Sequence, residues 1–136
     1  MDGRELVRLY VDEFINRRNY AIADDILDAD FLYHGPNGPA RSGRGSFVSG
    51  SAAFLLAFPD WRAEVMDVLV DGHMVSDRVH ISATHTASIN GVPVTGEVID
   101  DDCSHLWRVE SGRLVEGWLF SNANMLRVMR LAASRG

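Results

Sequence analysis

The first half of the chain places its hydrophobic residues at helical spacing. Residues 3–17 carry apolar side chains three and four positions apart (Leu6, Val7, Tyr10, Val11, Phe14 and Ile15), which predicts an amphipathic helix. A second, short helix is predicted to end around Asp28, and a third over Ser46 to Phe58, closed by Pro59. The third is apolar almost all round, so we expect it to be buried. Residues 28–45 between them read as an extended loop rich in glycine and proline.

From Trp61 onward the apolar residues alternate instead, with the period of two that is typical of strands. About four strands are predicted, over 61–71, 74–88, 98–110 and 113–122, the last two joined as a hairpin at Ser111-Gly112. A short amphipathic segment, 123–133, follows them. Helices first and strands afterwards predict an α+β fold, in which an antiparallel sheet folds over the helices and leaves a concavity. We find no linker that would divide residues 1–136 into more than one domain.

Composition and charge exclude several classes of protein. The formal net charge is -6 and the arginines are scattered, which argues against a nucleic-acid partner. No apolar run approaches the ~20 residues needed to span a bilayer, and no secretory core opens the chain. The one cysteine, Cys103, cannot form an internal disulfide, and it reads as a small buried hydrophobic residue. We therefore expect a cytoplasmic protein with no membrane partner.

Alternation predicts which side chains share a face of the sheet. In the second strand Val75, Val79, Ile81, Ala83 and His85 fall on one face, and Arg78, His80, Ser82 and Thr84 on the other. The third strand turns Asp101, Cys103, His105 and Trp107 to one face, and the last strand groups Trp118, Phe120 and Asn122. These residues would form a flat apolar slot with few polar groups, suited to an aromatic ring compound. A core of aromatic residues around a hydrogen-bonded buried histidine is the alternative interpretation.

Other candidates are less closely tied to this slot. Tyr33 and His34 could close one end of a pocket or lie on a solvated loop edge, and a phenol can donate a hydrogen bond without ionising. His85 precedes a loop and is either structural or part of the pocket. Asp101 lies ~13 Å along the strand from His105, too far for direct pairing. Metal-ligand spacings and phosphate-binding loops are absent from the sequence, so we predict acid–base chemistry with no metal or cofactor.

Several stretches resemble the SnoaL-like polyketide cyclases, a family of the nuclear-transport-factor-2-like superfamily. They are AFPDW at 57–61, THTASINGVPVTG at 84–96, LWRVESGRLVEGW at 106–118 and NMLRVMRL at 124–131, with DADFLYHGP at 28–36. The resemblance implies a cone-shaped α+β fold, usually a homodimer or higher homo-oligomer, with its pocket between the helices and a curved sheet. It also implies that His105 occupies a pocket-facing position that carries an acid in relatives.

On the last strand, where cyclases of this family use a pocket-facing aspartate, this chain has Phe120 and Asn122. We therefore expect His105 to move the proton, and Tyr33, Asn122 and the Trp118 indole to hold the developing enolate. The remaining expected substrate contacts are Trp107, Cys103, His85, His34, Asp101 and Trp61.

Three hypotheses for function follow. The first is a cofactor-independent cyclase that closes a ring of a small aromatic polyketide by an aldol-type or dehydrative step. The second is a dehydratase, isomerase or hydroxylase on the same scaffold. The third is a non-catalytic protein that binds a hydrophobic ligand or pairs with another subunit. The polar face with Arg78, Ser82 and Thr84 is a candidate subunit interface.

Overall fold

The structure is a computed structural model that describes residues 1–35, 39–88 and 91–133. Its helices are α1 (Gly3–Leu9, continued by π-helical turns over Tyr10–Asn16), a 3₁₀ turn (Tyr20–Ile22), α2 (Ala23–Ile26), α3 (Arg44–Leu56) and α4 (Ala123–Ala133). Its strands are β1 (Leu27–His34), β2 (Arg41–Ser42), β3 (Arg62–Asp71), β4 (Met74–Thr84), β5 (Val98–Glu110) and β6 (Arg113–Ser121). The α+β prediction is confirmed, as are the amphipathic first helix, the four long strands and the final helix.

Within the described residues the strands form one open sheet in the order β2-β1-β6-β5-β4-β3. All neighbours are antiparallel except β1 and β6, which run parallel. Our interpretation of residues 28–45 as a loop was therefore wrong, because this segment supplies β1 and β2. Among the glycines and prolines that suggested a loop, Gly35 and Pro39 lie between these two strands, and Gly43 and Gly45 lie at the start of α3.

The first helix packs closely against the sheet. Asp2 caps α1 by accepting a hydrogen bond from the backbone N–H of Glu5 at 2.8 Å, which satisfies one of the free donors at the helix start. A Cβ atom on Gly3 would lie 2.3 Å from Cγ2 of Val75 on β4, so glycine permits this close approach. The apolar side of the helix, including Leu6 and Phe14, is fully buried in the core.

Helix α3 departs from the prediction that it would be buried all round. Only Phe47 and Leu55 are buried, and Leu56 is 66% exposed. One part of the helix faces the cavity described below and another faces solvent, so its apolar residues do not all enter the core. None of the described helices is long and apolar enough to cross a membrane.

Strands β5 and β6 form the predicted hairpin. Ser111 and Gly112 both adopt positive φ angles, 51° and 73°, as a two-residue turn of the type I′ kind requires. The pairing carries one irregularity: Val109 lies opposite Leu114, but Arg108 lies opposite Glu116, so Val115 is an extra residue on β6. Such a bulge reverses which side chains of β6 point inward.

The centre of the core depends on a glycine in β6. Gly117 pairs with Trp107 of β5, whose side chain is fully buried. A Cβ atom on Gly117 would lie 2.7 Å from two carbons of the Trp107 ring and 3.3 Å from the Phe31 ring. The indole therefore fills the space that any other side chain at position 117 would need.

We predict that Gly117→Ala lowers the free energy of unfolding by about 1–3 kcal/mol, because the added methyl group overpacks the core against Trp107. Urea denaturation measures this change. Gly45→Ala in α3 is the matched control, since nothing lies within 4 Å of its Cβ position. That variant should be neutral or more stable by up to about 1 kcal/mol, because alanine is favoured over glycine in a helix. Equal losses in both variants would contradict this account.

Candidate functional site

A cavity of about 360 Å³ lies between the helices and the inner face of the sheet. Apolar side chains form most of its wall, from the π-helical turns after α1 and from α3, β3, β4, β6 and α4. Among the described residues the polar side chains in the lining are Tyr10, Tyr33, Arg41, Ser51, Cys103 and His105. The prediction of a mostly apolar pocket with few polar groups therefore matches the site.

His105 lies in the wall of this cavity, against a buried carboxylate from the neighbouring strand. The Asp77 side chain has no exposed surface, and it lies directly opposite His105 in the β4–β5 pairing. Its Oδ1 accepts the backbone N–H of His105 at 2.8 Å and lies 3.1 Å from Nδ1 of the same residue. Its Oδ2 accepts the Trp107 indole N–H at 2.9 Å. Three donors thus converge on one carboxylate inside the protein.

These contacts keep Asp77 ionised. Burial by itself would raise the pKa of Asp77, but attraction to His105 and the hydrogen bonds from His105 and Trp107 outweigh burial and hold the pKa below its ordinary value. An ionised carboxylate can only accept hydrogen bonds, so Nδ1 of His105 must carry the proton that it shares with Asp77. Nε2 is then the ring nitrogen that can contact a molecule in the cavity. It has no hydrogen-bond partner among the described residues.

Aromatic rings fix the plane of the imidazole. The Trp107 ring stacks on His105 with the centroids 4.9 Å apart and the planes inclined by 22°. The Tyr10 ring meets His105 edge-on at 5.8 Å. The His105 ring is therefore held by one hydrogen bond at Nδ1 and by packing against two aromatic rings, which is the arrangement that a positioned acid–base group requires.

Two tyrosines bring hydroxyl groups to the same cavity. Tyr33 comes from the end of β1 and Tyr10 from the helical segment after Leu9. Burial is the largest cause that raises the pKa of each phenol above its ordinary value. Both hydroxyls therefore stay protonated near neutral pH and can donate hydrogen bonds to an oxygen of a bound molecule.

Four predicted site residues lie outside the cavity lining, on the other side of the sheet or beyond its end. Trp118 stacks on His34 with centroids 5.0 Å apart, and His34 lies 2.7 Å from a carboxylate oxygen of Glu116. Phe120 is 55% exposed. Asn122 accepts the backbone N–H of Met125 at 2.8 Å and so caps α4. Placing these four residues in the pocket was wrong. The bulge at Val115 turns Gly117 and Leu119 inward in place of Trp118 and Phe120, His34 lies beside Trp118 in the pairing of β1 with β6, and Asn122 lies beyond the end of β6.

The remaining predicted residues divide between the lining and its surroundings. Cys103 and Trp61 line the cavity, and burial raises the pKa of the Cys103 thiol to about 12. Trp107 is packed behind the wall and does not line it. Asp101 is outside the lining and 3.4 Å from the side-chain amide of Asn124. The structure therefore brings together His105, Tyr33, Cys103 and Trp61 from the predicted set.

His85 is fully buried but does not line the cavity. Its Nδ1 lies 2.8 Å from the Thr95 hydroxyl, its ring packs against Phe58, and its backbone pairs with Glu97 and Gly96. Placing His85 in the pocket was wrong. Of its two open interpretations, the contacts favour the structural one, a histidine that ties the end of β4 to the segment before β5.

Sequence reasoning missed three residues of the site: Asp77, Tyr10 and Arg41. Asp77 lies in the same buried row of β4 as Val75 and Val79. A carboxylate in a row of buried apolar residues was therefore the sequence signal by which it could have been identified. Tyr10 belongs to the buried face of the first helix, where a hydroxyl group is similarly out of place. Arg41 lies in the segment that was interpreted as a loop.

Comparison with known families identifies one match over most of the chain. The family model described as SnoaL-like polyketide cyclase matches residues 5–129. None of the curated proteins compared with the chain matches it.

Solved structures show the same fold at low sequence identity. A protein from Jannaschia sp. CCS1 assigned as a SnoaL-like polyketide cyclase has a TM-score of 0.83 at 21% identity, covering 96% of this chain and 91% of its own. IdmH from Streptomyces antibioticus, assigned as a polyketide cyclase, has a TM-score of 0.78 at 22% identity, with 95% and 98% covered. AclR from Streptomyces galilaeus, assigned as a hydroxylase, has a TM-score of 0.74 at 23% identity, with 93% of each chain covered. The expected nuclear-transport-factor-2-like fold is confirmed.

The buried carboxylate makes a prediction about stability. Asp77→Asn should lower the free energy of unfolding at pH 7 by about 1–3 kcal/mol, because the amide cannot accept from all three donors that converge on Asp77. Asp67→Asn is the matched control: this carboxylate is 55% exposed and pairs with Arg78, so a change within about 0.5 kcal/mol is expected.

The deficit of Asp77→Asn should also depend on pH. Because the pKa of Asp77 is lower in the folded than in the unfolded protein, its stabilisation is complete above the unfolded value of about 3.9 and is lost as the pH falls through the folded value. Urea denaturation between pH 7 and pH 3 should therefore show the wild type approaching Asp77→Asn in acid. A difference that stays constant over this range would contradict the geometry.

Proposed function

Because this chain belongs to the SnoaL-like polyketide cyclase family, we propose that it closes a ring of an aromatic polyketide intermediate by acid–base catalysis, with His105 as the proton-transfer group. The observation that carries this proposal is the pair formed by Asp77 and His105 in the wall of an apolar cavity. The pair supplies a base in a chain whose last strand, β6, contains no aspartate.

The first step removes a proton from a carbon atom next to a carbonyl group. Nε2 of His105 takes this proton, and Asp77 stabilises the imidazolium that forms without taking the proton itself. Proton transfer by a positioned group of this kind accelerates a reaction roughly 10²–10⁴-fold. Asp77 is thus a positioning residue, which sets the tautomer and the orientation of the histidine.

The second step stabilises the enolate and forms the new bond. The hydroxyls of Tyr33 and Tyr10 donate hydrogen bonds to the enolate oxygen, where few waters compete with them. This assigns to Tyr10 the part that the sequence suggested for Asn122 and the Trp118 indole. The enolate carbon then attacks a carbonyl of the same chain, and the His105 imidazolium returns its proton to the alkoxide. No oxidant, reductant or cofactor enters this sequence.

The lining suits a flat, apolar substrate. The rings of Phe47, Phe54 and Trp61 contribute to the wall, and the Phe54 and Trp61 rings meet edge-on at 5.5 Å. Aromatic walls of this kind favour stacked or edge-on contacts with a ligand ring system. A polyketide already carrying fused rings would be held by such contacts while its reactive side chain lies near His105.

A related reaction on the same scaffold is the second candidate. The fold is shared with AclR, which is assigned as a hydroxylase, and dehydration and isomerisation also begin with proton abstraction from carbon. Product mass separates these reactions, since dehydration loses water, hydroxylation gains oxygen and isomerisation or aldol closure leaves the mass unchanged.

We also propose that the chain forms a homodimer through the outer face of the sheet. In the described part of the chain α3 and α4 line the cavity on the opposite, inner face of the sheet. One row of facing residues crosses it from β3 to β1: Leu69, Ser76, Leu106, Trp118 and His34. Leu69 is 71% exposed, and Phe120 in the next row is 55% exposed. Apolar side chains of this size on one face are typical of a contact surface.

Charges beside this row are already paired within the chain. Arg78 binds Asp67 at 2.6 Å and Asp102 at 2.8 Å, and Arg108 binds Glu116 at 2.6 Å. A second copy would therefore meet a largely neutralised surface and not a block of like charge, which favours self-association over repulsion. This extends the predicted interface around Arg78 to the apolar row.

The catalytic proposal predicts the behaviour of His105→Gln. The amide can still donate to Asp77 but cannot take a proton. A hydroxyanthraquinone carrying a β-ketoacyl side chain serves as the probe, and exchange of its α-hydrogen in D₂O is followed by NMR. His105→Gln should slow enzyme-catalysed exchange at least about a hundredfold. His73→Gln, at an exposed turn histidine, is the control and should exchange at the wild-type rate.

Wild-type exchange retained in His105→Gln would refute the role of His105. Binding of the probe by the wild type with no exchange and no product would favour a non-catalytic binding protein instead.

The dimer proposal predicts that Phe120→Glu is monomeric, because a carboxylate would have to be desolvated in the interface. Light scattering should give the wild type about twice the chain mass of 15.1 kDa. Leu56→Glu, at a residue 66% exposed on α3, is the control and should remain dimeric. A wild-type protein that is monomeric at micromolar concentration would refute the interface.

A further inference from the structure

Arg41 sits at the outward end of the cavity. Among the described lining residues only Pro39 and Arg41 are exposed, so the cavity opens to solvent beside them. Arg41 lies on β2 directly opposite Tyr33 of β1, and both side chains line the cavity. A permanent positive charge therefore stands at the mouth, next to one of the two hydroxyl groups of the site.

A glycine in α3 makes room for this guanidinium group. A Cβ atom on Gly50 would lie 1.3 Å from Nη1 of Arg41 and 2.6 Å from its Cζ. The guanidinium therefore crosses the helix where it has no side chain. Glycine inside a helix lowers the stability of the helix by roughly 1 kcal/mol relative to alanine. Gly50 therefore makes α3 less stable, but it leaves room for the Arg41 side chain.

No carboxylate among the described residues neutralises Arg41. Within that part of the chain, ion pairs with acids are formed by other arginines: Arg17, Arg44, Arg78, Arg108 and Arg127. Burial raises the pKa of the Tyr33 phenol, and the positive charge of Arg41 partly opposes that rise, as expected for a nearby cation. The charge is thus directed at the cavity mouth and is available to a ligand.

We propose that Arg41 binds a carboxylate of the substrate, so that the polyketide enters as a free acid and not as an ester. This inference rests on the proposed function, because it names the class of substrate that the same cavity takes. The planar guanidinium offers two parallel N–H donors that match the two oxygens of a carboxylate. The carboxylate would stay at the mouth while the fused rings lie among the aromatic residues, and the reactive carbon would point inward toward His105.

An acid and its ester provide the test. Anthraquinone-2-carboxylate and its methyl ester are titrated into the protein, and quenching of tryptophan fluorescence gives both dissociation constants, since Trp61 lines the cavity. The wild type should bind the acid at least about tenfold more tightly than the ester, as expected for a hydrogen-bonded charge pair. The preference should weaken with added salt, because Arg41 is exposed.

Three variants isolate the contribution of Arg41. Arg41→Gln should bind acid and ester equally, with its affinity for the ester unchanged. Gly50→Ala, which displaces the guanidinium without changing the charge of the chain, should reduce the preference as well. Arg62→Gln, at an exposed arginine of β3 that does not line the cavity, is the control and should retain the wild-type preference.

Equal affinities for acid and ester in the wild type would overturn the inference and leave the proposed function intact, since the cavity would still bind the ring system. A preference retained in Arg41→Gln, or a loss of ester binding in that variant, would overturn it too, because the guanidinium would not be what distinguishes the acid. Failure of the wild type to bind either compound would overturn both proposals.

Discussion

One buried carboxylate connects the fold to the site. Asp77 accepts hydrogen bonds from the His105 backbone, the His105 ring and the Trp107 indole. The first bond ties the Asp77 side chain of β4 to the backbone of β5, the indole bond fixes the largest fully buried side chain, and the ring bond orients the histidine in the cavity wall. Because an unpaired buried carboxylate is costly, each of these donors stabilises the pairing of β4 with β5 in this register, and the imidazole is positioned by the same contacts.

Glycines shape the core beside the cavity, because a residue without a side chain lets a helix or an aromatic ring lie close to the backbone. Gly3 lets the first helix approach β4, and Gly117 lets the Trp107 ring lie flat against β6. With the indole packed there, the wall behind His105 is solid, and the open volume lies in front of it, bounded by α3 and α4. Gly50 in α3 leaves space at the cavity mouth for the side chain of Arg41.

The sequence predicted the parts of the fold that depend on local periodicity. Alternation identified the buried rows of β4 and β5 correctly, including the inward position of His105, and helical spacing identified the first helix. It failed on β6, because Leu114 points inward and strict alternation from it carries Trp118 and Phe120 inward as well. The bulge at Val115 shifts the register by one residue and turns both outward. No local pattern reveals such a shift, since it depends on the partner strand.

The site was predicted to the extent that it rests on single residues in regular strands. Tyr33, Cys103 and His105 could be found in this way, whereas Arg41 depends on the pairing of β2 with β1, which sequence periodicity did not indicate. Asp77 could have been found, because a carboxylate between Val75 and Val79 interrupts an apolar row. A charged residue in a buried row needs hydrogen-bond partners, and for Asp77 these are His105 and Trp107.

The central claim is that Asp77 fixes the tautomer of His105, with the proton on Nδ1 and the lone pair of Nε2 toward the cavity. Long-range ¹H–¹⁵N correlation NMR on protein labelled at histidine reads the tautomer directly, with the signal of His105 assigned by its loss in His105→Gln. In the neutral form of the ring, the account predicts a protonated Nδ1 and an unprotonated Nε2. A His105 ring protonated at Nε2 would contradict it, because Nδ1 could then no longer donate to the carboxylate.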